Sequence, residues 1–559
     1  MKASTRIFVL LAILLLIFQP VVIAQTIPED IIFKAMNDEL NRNLSQLKIN
    51  AYPTPFFISY QFNDGQKITV RATLGAIQST DESPVRIQKV RLMAGDYSLN
   101  YESSNTFGSS LALPLENDYN AIRKAFWIAS DQSYKRAITG YDQKISVLKQ
   151  QNKSAEEKLD DYSKITPISL VLNCTKEKYD KPRWEAFARD ISGAFKSHTQ
   201  ISSSSVVISL MNTIVYVTTS EGLKLKIPLS IASMLVNASI QAEDGDILND
   251  QLRYYALTPE QLPTADKVKQ DIKQMADNIS ALSKTPQMKD DYTGPVIFEG
   301  EAVAALFAHK LFIFGSFVAY REPVYAVGQS YGNRNKLDDK INQRIFSENI
   351  TIKETPKLKV FNNTPLIGTF EIDAEGVVPK DELILVDKGI LKTMINDRVP
   401  TKKILESNGH SRFTMNGIIA GTQKAPGVIN VFYNKGESAR LLRKAVLKKA
   451  AKDGLEYIYV IRKFEDSRPI AVYKLSIKTG EEQLIRSAII SDFPMNKFKD
   501  ITMGTREQIV YNTFLISSIP ASFIVPQALV FDDVSIEKVK TVKSKLPPVS
   551  NPLLSQNGK

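Results

Sequence analysis

The chain has 559 residues, 43% of them hydrophobic and 23% charged, with a formal net charge of +11. That length exceeds what one core supports and implies two domains or more, and the composition is that of a globular protein. The cations are spread along the whole chain, which gives no case for nucleic-acid binding. The single cysteine, Cys174, excludes an intramolecular disulfide and a cysteine-rich zinc site.

In chain order, a targeting segment comes first. "MKASTR" is a basic start, "IFVLLAILLLIF" an apolar run, and "VVIAQ" offers small residues for cleavage. Val22 and Ala24 fit the positions before a cut, so residues 1–24 are expected to be a signal peptide and the mature chain to begin at Gln25. The alternative is an uncleaved anchor. Cleavage removes Lys2 and Arg6 and no acid, which leaves 69 − 60 = +9. No second apolar run is long enough to span a bilayer, and no cysteine follows the first. The chain is therefore expected to be exported, periplasmic or extracellular, with no membrane span after signal cleavage.

"PEDIIFKAMNDELNRNLSQL" reads as an amphipathic helix, with Ile32, Met36, Leu40, Leu44 and Leu47 along one face. The next stretch reads as a hairpin turning at Asp64-Gly65, and "RIQKVRLMAGDYSLNYE" as a strand pair turning near Ala94-Gly95. Residues 117–160 read as a long helix, solvated in its second half. Residues 200–258 are strand-rich with a turn at Glu221-Gly222. Residues 259–286 form a helix striped by Val268, Ile272, Met275, Ile279 and Leu282. The domain boundary falls just after it, which divides the mature chain into 25–290 and 291–545. The remainder is mostly strand, with Gly376 and Gly389 at turns, and the Pro-rich tail 546–559 is expected to be flexible. The fold class is α+β: an N-terminal α/β domain and a β-rich C-terminal one.

Several phrases, in order over nearly the whole mature chain, resemble the TldD/PmbA family in a secreted subgroup. Among them are "AMNDELNRNLSQL", "VRLMAGDYSLNYE", "LPLENDYNAIRKAFWIASDQSYK", "YTGPVIFEGEAVAALFA", "GTFEIDAEGVVPKDELILVDKGILKTMINDR", "SNGHSRF" and "PGVINVFYNKGES". The resemblance implies a barrel-like C-terminal domain. It also implies zinc metallopeptidase activity on unfolded or small peptides in active members, which carry His-Glu-x-x-x-His on a helix and a cysteine far downstream. It further implies paired subunits, one with metal and one without.

Carried onto this chain, the zinc motif fits poorly. One alignment puts Ala308 and Ile313 at the two histidines and His309 at the glutamate. The other puts His309 at the first histidine, Lys310 at the glutamate and Phe314 at the second histidine. No cysteine lies downstream. A catalytic zinc needs about three protein ligands and a nearby base, and the three histidines, His198, His309 and His410, lie in separate segments.

The catalytic candidates are therefore Glu299, Glu301, His309 and His410. Against this, the two glutamates read as helix-start acids and His309 as a core histidine. His410 and Arg412 lie on a loop that in the family borders the cleft, where Arg412 would bind a peptide carboxylate. The acids Glu371, Asp373, Glu375, Asp381, Glu382 and Asp387 read as a solvated strand face, and "VGQSYG" is only a loose match to a serine-hydrolase turn.

The expectation is an exported homologue of zinc metallopeptidases that lacks the metal site and needs no cofactor. It would bind an extended peptide or unfolded segment, or support a TldD-like partner subunit or a second copy of itself. The alternatives are a peptidase with a remodelled site, which alone would need zinc, and a non-enzymatic envelope protein.

Overall fold

The computed structural model describes residues 30–107, 113–151, 159–313, 316–321, 337–415, 420–465, 468–490, 493–539, 543–549 and 551–553. The targeting segment, residues 152–158 of the long helix, Phe314 and "VGQSYG" lie outside them.

The N-terminal part is one curled, half-barrel sheet of seven strands: β1 (Pro55–Thr73), β2 (Ala76–Gly95), β3 (Asn100–Phe107), β4 (Ser169–Val171), β5 (Ser203–Thr219), β6 (Lys224–Gln241) and β7 (Ile247–Ala256). Their order is β3-β2-β1-β5-β6, with β4 and β7 pairing with different parts of β6. Helices α1 (Ile31–Gln46), α2 (Tyr119–Gln151), α3 (Lys181–Gly193) and α4 (Ala265–Ser283) cover one face.

Strand alternation explains this cover. Ile58, Tyr60 and Phe62 of β1 pack with α1 and α2, while Ile68, Val70 and Ala72, on the same face, pack with α3 and α4. The apolar stripe expected for α4 is buried throughout, and that of α1 is buried at Ile32, Met36 and Leu40 and half-buried at Leu44.

The hairpin expected at Asp64-Gly65 is not there. β1 runs straight through, and the chain turns at Leu74 and Gly75, both with positive φ. Gly65 serves a close approach instead: a Cβ there would lie 2.0 Å from the Asn212 carbonyl oxygen on β5.

The C-terminal part contains β8 (Tyr292–Glu299), α5 (Glu301–Phe307), β9 (Ile350–Glu354), β10 (Val360–Phe361), β11 (Thr364–Pro365), β12 (Leu383–Asp387), β13 (Ile390–Leu391), β14 (Ser411–Phe413), β15 (Thr422–Lys424) and β16 (Val428–Tyr433). Next come α6 (Ala439–Lys452), β17 (Tyr457–Glu465), β18 (Arg468–Ser476), β19 (Glu482–Ile485), β20 (Ala488–Ile489), β21 (Ile501–Gly504), β22 (Gln508–Phe514), β23 (Pro520–Pro526) and β24 (Ala528–Lys538). One sheet has the order β13-β12-β9-β16-β23-β22, the other β19-β18-β17-β8-β24-β20 with β21 beside β24. Both contribute to one core, which encloses Ala302–Phe307 of α5. Helix α6 lies on the outer side of the second sheet, where Leu442, Val446 and Ala450 meet Ile297, Val460 and Val530.

The two parts meet over the inner face of the curled sheet. Val215, Val217 and Leu225 pack with Ile372, Ala374 and Phe413, and Met211 with Met415 and Phe514. Beside them lies a buried charge network. Arg398 donates to both carboxylate oxygens of Glu221 at 2.7 Å and to the Ser163 carbonyl, and lies 4.0 Å from the Tyr162 ring. Glu375 accepts from Arg91 at 2.7 Å and from the Tyr162 hydroxyl.

Asp373 accepts backbone N–H bonds from Glu375, Val377 and Ser411. Burial and the adjacent Glu375 nevertheless push its carboxyl up to about 8. Asp373 and Glu375 are thus interface groups, not the solvated strand acids expected. The alternation with apolar residues hides this because the segment is a coil packed under the first domain. Glu371 and Asp381 are exposed, as expected.

Contacts with the first domain recur near the C-terminus. The Ser544 N–H bonds the Gly245 carbonyl at 2.9 Å, and the Asn551 amide bonds the Thr199 carbonyl at 2.9 Å. This segment therefore lies across the first domain.

A candidate site at the interdomain cleft

Beyond Met211 the inner face of the curled sheet carries mostly polar side chains. Directly opposed residues share a face, which sets four rows across the strands: Thr69–Ser209–Ser233–Tyr255, Arg71–Val207–Leu235–Arg253, Ser205–Asn237–Gln251 and Ser203–Ser239–Asn249. The floor is mostly hydroxyl and amide. Its groups bond one another, as in the Ser203–Ser239 hydroxyl pair at 2.7 Å and the Asn237 amide to Ser205 at 3.2 Å.

The opposite wall comes from the second domain. The Phe514 ring lies 4.5 Å from Tyr255. Lys463 bonds the Asp250 carboxylate and, at 2.6 Å, the Gln251 carbonyl. Glu301 opens α5 after Gly300, whose φ is +59°. Crowding by protein raises the Glu301 carboxyl above its ordinary range, although the residue reaches solvent; Lys463 and Arg253 oppose the rise. Burial and the nearby Glu301 push Tyr511 up to about 12. Glu301, Arg253, Lys463, Asp250, Tyr255 and Tyr511 therefore share one electrostatic neighbourhood.

A cavity of about 960 Å³ continues from here between β7 and the β19–β20 connection. Ser487 lines it with a φ of +63°, and its hydroxyl is buried with no hydrogen-bond partner among the described residues.

The residues singled out from sequence do not converge here. Glu301 alone faces the cleft. Glu299 shares the outward side of β8 with Ile297, where Arg462 bonds it at 2.8 Å and Arg443 at 3.5 Å; both arginines also hold Glu482. His309 is half-buried in a π-helical turn, Ala308–Ile313, that continues α5. His410 is fully buried. Its Nδ1 bonds the Asn408 carbonyl at 3.0 Å, and its Nε2 lies 3.6 Å from a Glu354 carboxylate oxygen.

Arg412 is buried too, with the Gly368, Pro426 and Pro520 carbonyls around its guanidinium and the Phe370 ring 4.0 Å away. Burial lowers it to about 10. The peptide-carboxylate role expected for Arg412 is therefore corrected: its donors already serve the backbone that closes β14 onto its neighbours. Sequence reasoning missed Arg253, Tyr255, Lys463, Ser487 and Tyr511, which come together only through the docking of two domains.

Zinc does not fit the described residues. No three His, Cys, Asp or Glu side chains among them come together as metal ligands. Cys174 lies in the first domain beside the α1–α2 core. Lys310, next to His309, places its ammonium 5.9 Å from the centre of the Phe493 ring.

Fold and cleft together define a two-domain α+β protein with a metallopeptidase-like fold. Residues 290–538 match the PmbA/TldA metallopeptidase C-terminal domain, which supports a place for this chain in the TldD/PmbA family. Three solved structures share the fold. One is a Thermotoga maritima protein named for a suggested modulation of DNA gyrase, at 14% identity and TM-score 0.57, covering 90% of this chain and 100% of its own. TldE from Thermococcus kodakarensis has 14% identity and TM-score 0.54, with the same coverage. A Bacteroides thetaiotaomicron protein, also named for a suggested gyrase modulation, has 12% identity and TM-score 0.56, covering 91% of this chain and 98% of its own. No curated protein sequence matches the chain. Among the described residues no helix is long and apolar enough to cross a membrane.

Proposed function

We propose that this chain is an exported, non-catalytic member of its family that binds extended peptides in the interdomain cleft. The observation that carries the reading is the cleft floor: hydroxyl and amide side chains suit the alternating donors and acceptors of a peptide backbone. The Ser487 hydroxyl adds a donor at the wall that is unsatisfied among the described residues. β22 ends its sheet and meets the cleft through Phe514, so β-augmentation is the proposed mode of capture. The name TldE of one structural neighbour supports a supporting-subunit role beside a TldD-like partner or a second copy of this chain. The remodelled-peptidase alternative is disfavoured because the partners of Glu299 and His410 hold them away from the cleft.

The test is fluorescence anisotropy with labelled, unstructured peptides. The reading predicts saturable binding that Ser205→Arg, which fills the floor, weakens at least tenfold, about 1.4 kcal/mol. Failure of the parent chain to bind any extended peptide, or unchanged binding by the variant, would sink it.

A further inference from the structure

Helix α6 carries six cations, Arg440, Arg443, Lys444, Lys448, Lys449 and Lys452, and no acid. Two have partners: Arg443 bonds Glu299 and Glu482, and Lys449 bonds Asp532 at 2.5 Å. The other four recur every fourth residue. Arg440, Lys444, Lys448 and Lys452 are all exposed, and among the described residues no side-chain hydrogen bond or ion pair engages them. At the helical rise they form a ridge about 18 Å long with a cation roughly every 6 Å.

The ridge is centred opposite the buried Leu442, Val446 and Ala450. Leu441, 52% exposed, lies within it.

Helix stability does not account for this arrangement. Like charges four residues apart destabilise a helix, and Arg440 in the first turn opposes the helix dipole; of the four, only Lys452, in the last turn, complements it. Four cations without a single acid among them make a continuous positive edge. It stands on the outer side of the second sheet, away from the cleft.

We infer that α6 is a docking ridge for an anionic lipid surface. Long, flexible ammonium stems at regular spacing suit a fluid array of lipid phosphates. An exposed leucine among cations is the pattern of a helix lying at a bilayer interface. The inference does not depend on peptide binding.

The experiment is co-sedimentation at low salt of the chain from Gln25 onward, which lacks the apolar leader. The vesicles contain phosphatidylglycerol with phosphatidylcholine, or phosphatidylcholine alone. Each basic residue near an anionic bilayer strengthens partition about fivefold. Lys444→Gln/Lys448→Gln should therefore bind about 30-fold more weakly to the anionic vesicles. Lys402→Gln/Lys403→Gln, which removes the same charge at another exposed site, should change little. Glutamine keeps the helix propensity close to that of lysine, and thermal melts check the fold.

Equal partition of parent and ridge variant would overturn the inference. So would an equal drop in the control variant or equal binding to neutral vesicles. Ridge-dependent binding to polyglutamate without vesicle binding would replace the lipid with an acidic polypeptide.

Discussion

Arg398→Ala should cost about 3–5 kcal/mol of unfolding free energy, the range for removing one member of a buried ion pair. The Arg398 side chain is 1% exposed and that of Glu221 is 12% exposed. The substitution removes two guanidinium bonds of 2.7 Å to the Glu221 carboxylate, those to the Ser163 carbonyl, and the stacking on Tyr162. It leaves the half-buried Glu221 with the Tyr97 hydroxyl, 2.5 Å away, as its remaining side-chain partner among the described residues. Every one of these partners belongs to the first domain, so the loss falls on the docking that shapes the cleft. Urea denaturation followed by circular dichroism gives the number. A double-mutant cycle with Glu221→Gln isolates the pair, and the two changes should be strongly non-additive. A loss under about 1 kcal/mol, the range of exposed ion pairs, would refute the claim that this network fastens the domains.

Two further outcomes follow from groups at the same interface and in the same sheet. The Asp373 carboxyl, held up to about 8, keeps its proton in the folded chain well above the ordinary aspartate range. The stability it contributes is full below about pH 4 and is lost as pH rises through about 8. Asp373→Asn should flatten that part of the curve, measured by urea midpoints across pH; an unchanged slope would count against the assignment. Gly65→Ala puts a Cβ 2.0 Å from the Asn212 oxygen and 2.6 Å from the Thr213 Cα. Backbone atoms cannot swing aside, so the change should cost about 3 kcal/mol or more. A Tm equal to the parent's would show that β1 and β5 are not held this close.

The reach of the sequence varied with how local the signal was. α1 and α4 were legible because each buries one stripe at helical spacing. Gly222, Gly376 and Gly389 were legible because their turns require positive φ. Asp64-Gly65 misled because the same dipeptide that favours a turn also permits two backbones to touch, and only the neighbouring strand decides between them.

α3 and α6 escaped because each buries few apolar side chains, though both carry cap signals. Asp180 accepts from the Arg183 N–H, with Pro182 in the first turn, and Ser438 accepts from the Leu441 N–H. The burial of Asp373, Glu375, His410 and Arg412 was not legible at all, since it depends on which domain surface lies above them. The cleft was half legible. The helix from Glu301 pointed to it, whereas Tyr255, Ser487 and Tyr511 join it from distant elements.

We propose that the α5 helix and its surroundings do not hold zinc, although the cleft remains. This is tested most directly by the metal content of the chain from Gln25 after exposure to zinc and desalting. The account predicts zinc far below stoichiometric, and the same in His309→Ala. Near-stoichiometric zinc in the parent, lost in His309→Ala, would contradict it.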